Sequence, residues 1–207
     1  MVGFDGAPGG IGLTIGIVRH AGLIASSARA IRDAQQSGNL AEMQRQAEGL
    51  VNLIEGEGGS DYGDLDGNGK VANPGDGFGL LPNSRTVGYI QASIEHARYA
   101  AGSAGATTHM IQQADSLEIA AQNLGGWAAQ LREAGLAIIR SADMAAAKEP
   151  TARLVDLAVL FVDGQDVNSN GQIEPLPNEG GTQTVYFYAR RMADMLVSHG
   201  ITASGDS

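Results

Sequence analysis

Apolar residues recur at helical spacing along most of the chain. Val18, Ala21, Ile24, Ala28 and Ile31 fall three and four apart and make one stripe. Gly38 ends that helix, and Asn39 with Glu42 reads as a capping box opening the next. The second helix turns Leu40, Met43, Ala47, Leu50, Val51 and Ile54 inward. Val87, Ile90, Ile94, Ala97 and Ala101 predict a third helix. Met110, Ala114, Leu117, Ala121 and Leu124 predict a fourth, stopped by Gly125-Gly126. A fifth carries Trp127, Leu131, Ala134, Ile138, Ala142 and Ala145, with Pro150 as punctuation after it. Leu154, Val155, Ala158, Phe161 and Val162 make a sixth, and Val185, Tyr188, Met192 and Met195 a seventh. No stretch alternates long enough for a strand. The expected class is all-α, a bundle of about seven helices, with loose tails up to about Gly10 and from about Thr202.

The pattern also repeats. Asp61, Asp64, Asp66, Asn68, Gly69 and Val71 match Asp163, Asp166, Asn168, Asn170, Gly171 and Ile173 at a constant offset. Leu50-Val51-Asn52-Leu53 precedes the first loop and Leu154-Val155-Asp156-Leu157 the second. Thr86-Val87-Gly88-Tyr89 follows the first, and Thr184-Val185-Tyr186-Phe187 the second. Arg19-His20-Ala21-Gly22-Leu23 echoes Arg132-Glu133-Ala134-Gly135-Leu136. The reading is an internal duplication: a tail over 1–10, a first helical repeat over 11–102, a linking helix over 103–125, a second repeat over 126–200, and a tail over 201–207.

Charge sharpens this picture. The net charge is −10, which argues against a nucleic-acid partner, since that needs a basic surface. Glu55 to Asp76 holds six acids against one lysine, and Asp156 to Glu179 holds five acids and no base. These two segments account for the whole excess, as cation sites would. With no cysteine in the chain, disulfides and thiolate metal sites are excluded. No apolar run approaches the roughly 18–20 residues needed to cross a bilayer. The opening residues lack the basic and apolar regions of a signal peptide. Their glycine-rich character resembles a linker, so the expectation is an extracellular or periplasmic protein whose export signal lies outside this sequence.

Calcium takes six to eight oxygens at about 2.3–2.6 Å. A short loop supplies them when alternate side chains point inward and a glycine makes the turn. In Asp64-Leu65-Asp66-Gly67-Asn68-Gly69-Lys70-Val71, the side chains of Asp64, Asp66 and Asn68 and the carbonyl of Lys70 fit that need. Gly69 turns the chain, and Val71 is expected to anchor the loop in the core. Asp166-Val167-Asn168-Ser169-Asn170-Gly171-Gln172-Ile173 has the same form with one carboxylate fewer, offering Asp166, Asn168, Asn170 and the carbonyl of Gln172. Both runs resemble the calcium loops of EF-hand and dockerin-type modules, which share a D-x-[DN]-x-[DN]-G core followed by an aliphatic residue. The resemblance covers about a dozen residues per copy and implies Ca²⁺ at two sites. Those families place a carboxylate at the twelfth loop position, where this chain has Gly75 and Pro177. Asp76 and Glu179, just beyond, are candidates to close each shell, as are Asp61 and Asp163 before each core.

Other constellations carry less. His20, His96, His109 and His199 show no metal-ligand spacing and read as surface or packing residues. Glu95-His96 and the Glu48/Glu55 pair read as solvated helical acids without a nucleophile. Gly56-Glu57-Gly58-Gly59 and the Pro74–Gly79 run lack the Gly-Lys-[Ser/Thr] of a phosphate loop. The latter run is expected to fold back over the metal loop, pinned by Phe78. Tyr186-Phe187-Tyr188 covers every side of its helix and offers part of a partner surface. The function expected is structural calcium in a secreted or cell-surface interaction module with a protein or cell-surface partner. The alternatives are a calcium-regulated sensor and, behind it, an enzyme with a site between the repeats.

Overall fold

The computed structural model describes residues 6–194. Those residues form six α-helices: α1 (Leu13–Gln36), α2 (Leu40–Glu55), α3 (Gly88–Ala101), α4 (Thr108–Ile139), α5 (Met144–Asp163) and α6 (Thr182–Ala193). A short turn over Pro8–Gly10 precedes them, and Ala7 beside it is buried. Among the described residues there is no strand, only an isolated antiparallel bridge between Gly164 and Gly180. Met195, His199 and the expected carboxy-terminal tail lie outside the described residues.

The apolar stripes become one core. Ile17, Ile24 and Ile31 of α1 meet Met43, Leu50, Leu53 and Ile54 of α2, with Tyr89, Ile90 and Ile94 of α3 alongside. The long helix α4 is the spine, packing against α2, α3, α5 and α6, while α1 packs against α2, α3, α5 and α6. No helix of the described residues is long and apolar enough to cross a membrane.

Helix ends mostly follow the sequence. The Asn39 side chain accepts the Glu42 N–H at 3.1 Å, opening α2 after Gly38 takes a positive φ of 71°. Six helices replace the seven expected, because the fourth and fifth are one. Gly125-Gly126 does not stop α4: Leu117, Leu124, Leu131 and Ile138 recur every seven residues and are all buried. Burying that continuous row outweighs about 1 kcal/mol per helical glycine. The chain breaks instead after Ile139, where the Asp143 side chain accepts the Ala146 N–H at 2.9 Å and starts α5. Pro150 then sits inside α5 and does not end it.

Both acidic loops hang from similar necks. Helix α2 ends at Gly56 (φ 69°) and α5 at Gly164 (φ 79°). A Cβ on Gly56 would stand 2.7 Å from the Phe78 carbonyl, and one on Gly164 would stand 2.2 Å from that of Glu179. Only glycine tolerates both the conformation and the close approach. The next residue closes each neck: the Glu57 N–H donates to Gly77 O at 2.8 Å, and the Gln165 N–H to Glu179 O at 3.0 Å. The matched flanks beyond the loops diverge. Val87 precedes α3 and is exposed, whereas Val185 lies within α6 and is buried.

Candidate metal centre

Both loops carry the same ladder of hydrogen bonds. In the first, the Gly69 N–H donates to Asp64 Oδ2 at 2.8 Å, the Asn68 N–H to Asp66 Oδ1 at 2.9 Å, and the Lys70 N–H to Asn68 Oδ1 at 3.0 Å. In the second, the Gly171 N–H donates to Asp166 Oδ2 at 2.7 Å, the Asn170 N–H to Asn168 Oδ1 at 3.0 Å, and the Gln172 N–H to Asn170 Oδ1 at 2.8 Å. Each side chain thus holds the N–H two residues on, and the first aspartate holds that of the turning glycine. These bonds wind the backbone of both loops into the same series of tight turns.

Three carboxylates converge on the first loop. Ligand oxygens of Glu48, Asp64 and Asp66 lie within 4.8 Å of one another. Such a triad could hold a metal ion: like charges this close repel one another unless a cation neutralises them. Glu48 is fully buried, Asp66 half-buried and Asp64 exposed. Among the described residues no other set of three histidines or acids gathers its ligand atoms this closely. On the same helix as Glu48, the Arg45 guanidinium pairs with Glu42.

Glu48 comes from helix α2, where a solvated acid is expected from sequence; burial corrects that expectation. Its Oε2 accepts the N–H groups of Leu65 and Asp66 at 2.8 and 2.9 Å, and its Oε1 accepts that of Ala72 at 2.6 Å. One helical turn on, buried Asn52 donates to Gly63 O at 2.9 Å and Ala72 O at 2.8 Å and accepts the Gly63 N–H at 2.9 Å. Another turn on, Glu55 is buried against Arg132 of α4, 2.9 Å away. The signal was present in the sequence: Glu48, Asn52 and Glu55 form a polar stripe with helical spacing beside the apolar one.

This clamp changes the role expected of Val71, which is 50% exposed, with Ile173 at the matching position 41% exposed. The loop is anchored through its backbone to Glu48 and Asn52, so no apolar plug is needed. Asp76 sits apart from the triad. Its carboxylate accepts the Tyr89 hydroxyl at 2.7 Å and the Phe78 N–H at 3.1 Å, and lies 3.6 Å from His20 Nε2. Phe78 is buried against Tyr89, with ring centroids 4.6 Å apart, and the Pro74–Gly79 run packs against the end of α2 at Leu53 and Gly56. Asp61 is half-buried outside the triad.

His20 is buried within this cluster. Burial pushes its imidazole below the usual range, against the pull of Asp76 and of the Gly16 carbonyl 2.9 Å from Nδ1. The Tyr89 phenol is pushed up, first by burial and then by its bond to Asp76. His96 on α3 and His109 on α4 are exposed, the latter 3.3 Å from the Arg191 carbonyl.

In the second loop Asp166 is half-buried, while Asn168, Asn170 and Gln172 are exposed. The side-chain amides of Asn168 and Asn170 both donate to Glu174 Oε2, at 3.1 and 2.5 Å. Glu179 is fully buried and its Oε1 accepts the Glu174 N–H at 2.8 Å. Asp163, at the end of α5, is exposed.

No protein-family model, curated protein or solved structure matches the chain.

Proposed function

We propose that this chain is a calcium-binding helical domain in which Ca²⁺ in the first loop braces the junction between α2 and α3. The observation that carries this is the convergence of Glu48, Asp64 and Asp66 around a loop already wound for coordination. Asn68 and the Lys70 carbonyl supply further neutral oxygens. An all-oxygen set with three carboxylates suits a hard divalent ion, and irregular spacing suits calcium over the stricter octahedron of magnesium. Glu48 takes the place of the carboxylate missing at the twelfth position. It reaches the site from the helix before the loop.

The role is structural. Without an ion, the triad concentrates negative charge at a junction that the core needs closed; binding relieves the repulsion and stabilises the folded state by linkage. A loop of this type suits the high calcium found outside cells, so the setting is an exported protein and the domain an interaction module for a protein or cell-surface partner. The repeated ladder and the two glycine necks support descent of the two loops from one duplicated unit. Thermal unfolding tests the reading. Millimolar Ca²⁺ raises Tm, chelator lowers it, and Asp64→Asn with Asp66→Asn shrinks the difference. Equal Tm with calcium and chelator in the unaltered chain would refute it.

A further inference from the structure

We propose that the second loop is a separate divalent-cation site, closed from the opposite side by Glu179. The inference rests on the calcium reading of the first loop and extends it to a place where the acids do not gather unaided. Counting each loop from its first aspartate, Ala72 and Glu174 both occupy the ninth position. In each loop the N–H at that position donates to a fully buried glutamate, Glu48 at 2.6 Å and Glu179 at 2.8 Å. The two glutamates are not counterparts in the chain. Glu48 precedes its loop, on α2, and Glu179 follows its own, just before α6. Counted back from the glycine necks, the counterpart of Glu48 on α5 is Asp156, which is exposed.

The second carboxylate oxygens differ. Glu48 Oε2 accepts two backbone N–H groups, whereas Glu179 Oε2 is buried and has no hydrogen-bond partner. Oε1 is held on the Glu174 N–H, which ties the carboxylate to the ninth position of the loop. A buried carboxylate oxygen without a donor is unfavourable, and a cation is one partner that satisfies it. The surrounding donors are oxygens: Asp166, Asn168, Asn170, the Gln172 carbonyl and Glu174. That chemistry selects a hard cation over a transition metal. Glu174 is at present held by the amide nitrogens of Asn168 and Asn170. Uptake of the ion exchanges those contacts for metal–oxygen contacts, as it exchanges the contact of the Asn68 amide with Asp66 Oδ2 in the first loop. The Asn123 side chain of α4 binds Leu176 O at 2.8 Å and accepts the Asn178 N–H at 2.8 Å. Closure therefore sets the start of α6 against the spine.

Calcium titration calorimetry on the chelator-treated full chain tests this, with Glu179→Gln, Asp166→Asn and Glu48→Gln variants checked for helicity. The unaltered chain takes up two ions. Asp166→Asn and Glu179→Gln each weaken one uptake at least tenfold and leave the other within about threefold. Should Glu179→Gln fail to fold, Asp166→Asn alone decides. Uptake of one ion, lost in Glu48→Gln and unchanged in Asp166→Asn, overturns the second site and leaves the first. Uptake of one ion, lost in Asp166→Asn and kept in Glu48→Gln, does the reverse. No uptake at all overturns both.

Discussion

The first loop and the second share a neck, a hydrogen-bond ladder and a buried glutamate, yet they are held in different ways. The first has an extra segment, residues 57–63, between its cap glycine and Asp64, and buried side chains of α2 grip it. Three N–H groups satisfy Glu48 without any ion. In the second, Asp166 follows Gly164 closely, Glu179 holds one N–H, Asn123 of α4 holds Leu176 and Asn178, and the remaining Glu179 oxygen has no hydrogen-bond partner. A short motif thus specifies how the backbone winds, while the packing around it decides how far the site is built before metal arrives. The first loop is organised by its helix, and the second by a glutamate that follows it in the chain.

The most damaging test of that contrast is Glu48→Ala. It strips the acceptor from three N–H groups at once and should cost about 3–5 kcal/mol in urea unfolding. A loss under about 1 kcal/mol would show that the helix does not organise the loop. Next comes Asn52→Leu, which removes three bonds to Gly63 and Ala72 and should cost about 2–4 kcal/mol in chelator. Calcium uptake by the second loop should survive it unchanged.

A smaller effect lies beside the first loop, where Tyr89→Phe leaves Asp76 with one bond fewer and should cost about 1 kcal/mol. The same cluster gives a pH dependence. The His20 pKa is lower folded than its ordinary value of 6.5, so the unfolded chain binds more protons in the window between. The stabilisation from neutral His20 is therefore complete above about pH 6.5 and lost as pH falls through the folded value. His20→Gln should flatten that part of the stability–pH curve; an unchanged slope would assign it elsewhere. The smallest effect is expected of Val71→Ser. An exposed side chain on a backbone-anchored loop should shift stability by less than about 0.5 kcal/mol.

These contrasts also show what the sequence could convey. The stripes of α1, α2 and α3 and the position of each acidic loop were legible, because helical period and turn chemistry are local. Gly125-Gly126 misled because a local helix-stop signal was set against a row of aliphatic residues seven apart, and burial of that row prevailed. Pro150 misled similarly, since Asp143 had already started the helix that contains it. The motif named Asp64, Asp66 and Asn68, but not Glu48, whose place in the site depends on how α2 lies along the loop. Asp76 was the nearest acid in sequence beyond the expected closing position. The fold commits it to Tyr89, Phe78 and His20.

Calcium in the first loop is the central claim. Crystals grown in millimolar Ca²⁺, with anomalous diffraction recorded, test it directly. The account predicts an anomalous peak about 2.3–2.6 Å from oxygens of Asp64, Asp66 and Glu48 and from the Lys70 carbonyl. A well-ordered first loop with no such peak, its carboxylates bridged only by water, would contradict it.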